Sequence, residues 1–190
     1  ELLLRPDGAV IVFGDRQQGS VRVAQVVGGR TLGVFTIDGD QGGPDRVGPT
    51  LGRSHAAAFN AQGQLVVYYR DEETQAVRRY IGAIDGQGER TVMDTGRIQS
   101  DERGGLDRVQ GSDLSLVIDG DRELVVFQDQ SMGDVSALIA GERRLVRSQL
   151  LDGFSARLVQ VEGQPLAVHG AVRTDRDGVS RFGVVVVGLQ

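Results

Sequence analysis

Short apolar runs of four to six residues, bounded by Gly, Asp or Asn, recur along the whole chain. No window sustains an apolar stripe at i, i+3, i+4 and i+7 for three turns, so the pattern predicts strands rather than helices. The most helix-like stretch, His55-Ala56-Ala57-Ala58-Phe59, is short and runs straight into a turn at Asn60–Gly63, so it too reads as a strand. One segment comes four times: a turn, an apolar strand, then in three of the four copies an aromatic followed by Asp. The copies are Pro6–Asp15, Ala61–Asp71, Asp119–Asp129 and Glu162–Gly170.

Around these copies the strands fall into units of four. The first reads Leu2–Leu4, Val10–Phe13, Val21–Val27 and Thr31–Ile37. The second reads Ser54–Asn60, Leu65–Tyr69, Val77–Ile84 and Arg90–Asp94; the third Ser112–Ile118, Leu124–Gln128, Val135–Ala140 and Leu145–Leu150. The last holds three, Ala156–Val161, Leu166–Val168 and Phe182–Val187. The strand-end residues Asp15, Asp71 and Asp129 stand 56 and 58 residues apart. Four-stranded antiparallel meanders repeated at this spacing predict an all-β chain built as a β-propeller, with blades about 1–48, 49–110, 111–153 and 154–190. A β-sandwich also uses many short strands, but it does not need one four-strand unit repeated in order. The expectation is one propeller domain, or a segment of a larger ring whose remaining strands lie elsewhere in a longer chain.

The repeat has a recognisable form: Ser, alternating apolar residues, a Gly turn, an apolar run, aromatics and Asp. It stands here as Ser54, Gly63 and Tyr68-Tyr69-Arg70-Asp71, and again as Ser112, Gly120 and Phe127-Gln128-Asp129, with Asp134-Val135 opening the third strand. This resembles the secreted and cell-surface propeller repeats of bacteria such as myxobacteria, and more distantly the sialidase-like propellers. The resemblance implies a propeller exported to the cell envelope or beyond. The chain departs from that pattern in its second strand, Gln64-Leu65-Val66-Val67, in lacking a Trp-rich turn, and in lacking the Ser-x-Asp-x-Gly-x-Thr-Trp box of the sialidase-like enzymes.

Composition narrows the chemistry. All 21 basic residues are Arg, and the net charge is −5, which argues against tracking along nucleic acid. With no Cys, thiolate catalysis, disulfides and Cys-ligated metals are excluded. No apolar run reaches the roughly 20 residues of a membrane span.

A second repeat lies between blades, Gly42-Gly43-Pro44-Asp45-Arg46-Val47 and Gly104-Gly105-Leu106-Asp107-Arg108-Val109. In an antiparallel blade, the connection into the first strand and the connection leaving the second share one face of the ring. Asp45, Arg46, Asp107 and Arg108 are therefore expected on one face with Arg70, Asp71 and Asp129, where propeller loops vary over a rigid scaffold. His55, at an inner strand near the channel mouth, joins them. The plainer alternative is that repeated Asp and Arg residues cap turns and bridge blades, as repeated residues in repeat proteins commonly do. Asp38, Asp40 and Asp45 offer hard oxygen donors for Ca²⁺, although an EF-hand would need ligands at 1, 3, 5, 7, 9 and 12 and only positions 1 and 3 match; no other cofactor is expected. His55 and His169 have no neighbouring nucleophile in the sequence, so no catalytic residue is assigned.

These observations predict a non-enzymatic binding or scaffold module of a secreted or cell-surface protein, recognising a protein or glycan through its interblade loops. The alternatives are a carbohydrate-active propeller, lectin or glycosidase, and a purely structural segment of a larger assembly.

Overall fold

The computed structural model describes residues 1–39, 51–95, 110–130, 134–139, 141–147, 152–174 and 176–189. They form fifteen strands, numbered in chain order, and among the described residues there is no helix. The first sheet is β1 (Leu2–Arg5), β2 (Gly8–Asp15), β3 (Ser20–Val27) and β4 (Arg30–Asp38). The second is β5 (Leu51–Phe59), β6 (Leu65–Asp71), β7 (Val77–Gly82) and β8 (Gly88–Asp94). The third is β9 (Gln110–Asp119), β10 (Arg122–Asp129), β11 (Asp134–Ile139) and β12 (Glu142–Arg147). The fourth is β13 (Asp152–Val161), β14 (Gln164–Thr174) and β15 (Ser180–Gly188). Every sheet is a simple antiparallel meander in chain order. Each strand predicted from the apolar runs is found, most of them lengthened by a residue or more at their ends.

The chain divides into two compact units, Glu1–Thr95 and Gly96–Gln190, each holding two sheets. In the first unit, alternate residues of the two sheets interdigitate: Val10 and Val12 of β2 and Val21 and Val23 of β3 meet Leu65, Val67 and Tyr69 of β6. All seven are fully buried, and such alternation is what a sheet with one packed face requires. In the second unit Leu124 and Val126 of β10 and Ala137 of β11 pack on Ala156 and Leu158 of β13 and Ala167 of β14. The far face of the fourth sheet leaves Phe182, Val184 and Val186 of β15 exposed.

The first strands of the second, third and fourth sheets carry an irregularity that the hydrophobic pattern does not show. Register slips in β5 between Leu51 and His55, in β9 opposite Val126–Gln128 and in β13 between Phe154 and Arg157. Left-handed residues, Gly52, Asp113 and Ser155, sit in these bulges. A bulge bends its strand and re-aims the side chains beside it.

Candidate functional site

The strand-end Asp of the first and second copies folds back on its own turn. Asp15 accepts hydrogen bonds from the backbone N–H of Gln17 and Gln18, at 3.0 and 3.3 Å, and Asp71 accepts from Glu73 and Thr74, at 3.0 and 3.1 Å. A short Asp side chain is suited to this because its oxygen reaches the turn's free N–H groups. Each carboxylate then takes a guanidinium: Arg22 lies 3.0 Å from Asp15, Arg78 2.6 Å from Asp71, and Arg143 2.8 Å from Asp129. Asp71 and Asp129 are 1% and 0% exposed. The Arg22 hydrogen bond holds Asp15 below the usual carboxylate range. Burial pushes Asp71 upward, but the hydrogen bonds from Thr74 and the Arg78 charge outweigh it, and its carboxyl also ends below that range. Of the residues expected on the binding face, Asp71 is therefore a turn cap that also holds Arg78, and Asp129 is a buried carboxylate paired with Arg143.

Asp38, considered above for Ca²⁺, joins the two sheets of the first unit. Its Oδ1 accepts the Gly39 N–H at 2.9 Å, and its Oδ2 accepts the Tyr69 hydroxyl at 2.6 Å with Arg78 at 3.5 Å. Burial, reinforced by this carboxylate, pushes the Tyr69 phenol well above its ordinary value. Among the described residues no three His, Cys, Asp or Glu side chains gather as a metal site. Asp40, Asp45, Arg46, Asp107 and Arg108 lie outside the described residues.

His55 is held between the two sheets of the first unit. Its Nδ1 lies 2.9 Å from the Gly52 carbonyl and its Nε2 3.0 Å from the Val12 carbonyl of β2. Arg70 is 9% exposed and packs on its own turn, 3.2 Å from Glu72 and bonded to Gln75. Burial holds its guanidinium below the ordinary value; Glu72 opposes that, and the charge of neighbouring Arg53 adds to it.

Beside His55 opens a cavity of about 570 Å³ lined by Phe13, Gly14, Arg16, Leu51, Gly52, Arg53 and His55. Its floor depends on glycine. A Cβ on Gly14 would stand 2.6 Å from the Gly52 carbonyl, and one on Gly52, whose φ is +72°, would stand 2.5 Å from the buried Val21 side chain. Backbones that approach this closely leave a concave surface between β2 and β5. Arg16 and Arg53 make no hydrogen bond or ion pair among the described residues, and the described lining holds no carboxylate. Arg16 leaves the second strand of one sheet and Arg53 precedes the core of the first strand of the next. The shared-face rule that places Arg70 and Asp71 together covers both, but neither belongs to a repeated pair, so repetition in the sequence does not mark them.

No protein-family model matches this chain, and no curated protein matches it. Among solved structures, the chain is similar to the α-L-arabinanase of Cellvibrio cellulosa, solved in complex with arabinohexaose, with a TM-score of 0.53 at 8% identity. The match covers 97% of this chain and 71% of that one, which is a five-bladed β-propeller. At that identity the likeness speaks for architecture alone. Four successive meanders with this similarity make the chain an all-β propeller built of four-stranded antiparallel blades, four of them visible, the last with three described strands.

Proposed function

We propose that this chain is a non-enzymatic recognition module of a secreted or cell-surface protein, and that its ligand is a glycan taken at the cavity between β2 and β5. The observation that carries this reading is the cavity itself. Its volume of about 570 Å³ falls in the range of small-ligand sites and suits a short run of sugar rings. Its walls combine an aromatic residue, Phe13, a fixed imidazole, His55, and two guanidiniums that nothing else among the described residues engages. Polar groups of this kind, few in number and carried on a propeller scaffold, can orient a ligand without acting on it. Two carboxyl groups flanking the scissile bond are what glycoside hydrolysis ordinarily asks for, and the described walls supply none.

The test is calorimetric titration of the purified chain with a panel of oligosaccharides, repeated with Phe13→Ala and His55→Ala. Saturable binding that weakens at least tenfold in either variant supports the reading; no binding across the panel overturns it. The second reading, a carbohydrate-active enzyme, is favoured by the likeness to an arabinanase solved with arabinohexaose. Release of reducing ends from arabino-oligosaccharides by the wild-type chain would select it.

A further inference from the structure

We infer that the ligand of this cavity carries a carboxylate, so that the site selects acidic sugars over neutral ones, with Arg16 and Arg53 as the residues that decide it. This rests on the glycan reading above and names the class of glycan.

Arg16 and Arg53 both stand where the repeats differ from one another. The first-strand starts Leu51-Gly52-Arg53, Gln110-Gly111-Ser112 and Asp152-Gly153-Phe154 align on their glycines, so the position of Arg53 is Ser or Phe elsewhere. The residue after each strand-end Asp is Arg16, Glu72 and Gln130. Architecture in a repeat protein is carried by what the units share, and these two arginines are not shared. Both fall on the same cavity, at the one interblade junction of the first unit.

Charge makes the same point. Three neighbouring arginines each hold a carboxylate: Arg22 has Asp15, Arg70 has Glu72, and Arg78 has Asp71. Arg16 and Arg53 have none among the described residues, and Arg53 stands close enough to Arg70 for its charge to be felt there. In a chain of net charge −5, two guanidiniums with no acid between them among the described residues are a local concentration of positive field. Guanidinium and carboxylate meet bidentately, with two parallel N–H···O bonds, which gives direction as well as attraction. A neutral sugar offers hydroxyls that could use one donor each; a uronate uses the charge.

Titration of the full chain with a galacturonic acid hexamer and with arabinohexaose tests this. The expected result is at least about tenfold tighter binding of the acidic hexamer, a preference that falls as salt rises and disappears in the Arg16→Gln/Arg53→Gln double variant. Arg16→Lys/Arg53→Lys should retain part of the preference, since the charge remains and the fork is lost. Equal binding of both hexamers, or an acidic preference unchanged in the double variant, overturns the inference and leaves the glycan reading standing. Binding of neither overturns both, and a protein partner with acidic side chains then becomes the occupant to seek.

Discussion

Arg78 lies directly across the β6–β7 ladder from Tyr69 and reaches past it to Asp71, 2.6 Å away, at the end of the same strand. Arg22 stands in the same relation to Phe13 and Asp15 in the first sheet. In the third sheet the place opposite Phe127 is Ser136, and the guanidinium comes instead from Arg143 of β12, which bonds both Ser136 and Asp129. In the fourth, the strand-end position is Ala171 and the residue opposite His169 is Val185. Cation and anion are present together or absent together, as a buried charge without its partner would be costly.

Asp71→Asn should therefore destabilise the first unit by about 2–3 kcal/mol, below the full cost of breaking a buried pair because Arg78 is partly exposed. Asp71→Asn combined with Arg78→Leu should recover part of the loss. Urea denaturation of the single and double variants measures this coupling. Additive losses in the double variant would mean that the two side chains act independently.

Acid should act through the same carboxylates. Asp15 and Asp71 titrate below the usual range when folded, and at about 3.9 when unfolded. Between those values the unfolded chain binds more protons, so stability rises with pH there. Stability from both groups is complete above about pH 4 and is lost as the pH falls through their folded values. Denaturation midpoints taken from pH 7 down to 2.5 should drop in that window, and Asp71→Asn should flatten the drop. A decline centred well above that window would show that other groups carry the acid sensitivity.

The strands were legible because each is an apolar run closed by turn residues, and a strand's two-residue period survives in a single sequence. The Asp of each ion pair was visible as a repeat, but its role was not. Assigning Arg22 or Arg78 to it requires the register across the ladder, and assigning Arg143 requires knowing that the fourth strand has replaced the third. The bulges at Gly52, Asp113 and Ser155 stayed hidden for the same reason, since only the partner strand reveals an extra residue. Arg16 and Arg53 were within reach of the shared-face argument.

Gly52 holds the floor of the cavity, and its replacement should be costly in two ways. At φ +72° an alanine is strained, and its Cβ would stand 2.5 Å from Val21, which is packed in the core of the first unit. Gly52→Ala should destabilise by about 2 kcal/mol or more. Gly63→Ala, at φ +74° with nothing within 4 Å, shares the strain without the clash and should cost about 1 kcal/mol. Thermal denaturation of the two variants separates backbone strain from steric conflict; equal losses would show that the close approach to Val21 relaxes without cost.

His169 occupies the place that Tyr69 and Phe127 fill in the second and third copies, and it meets the same buried surroundings with a polar ring. It is 2% exposed; its Nδ1 lies 2.9 Å from the Gly170 carbonyl, and its Nε2 is buried with no partner among the described residues. A buried acceptor without a donor costs about 1–3 kcal/mol, whereas an apolar ring of similar shape carries no such cost. His169→Phe restores the aromatic of the repeat and should raise the stability of the second unit by about 1 kcal/mol, with the Nδ1 bond lost against the Nε2 penalty removed. His169→Ala should lower it by about 2–3 kcal/mol through the cavity left by a buried ring. Urea midpoints of the two variants, read with a probe in the second unit, give the sign. Destabilisation by phenylalanine would mean that Nε2 is satisfied in solution, most simply by a bound water, and that the histidine is held there for its polarity.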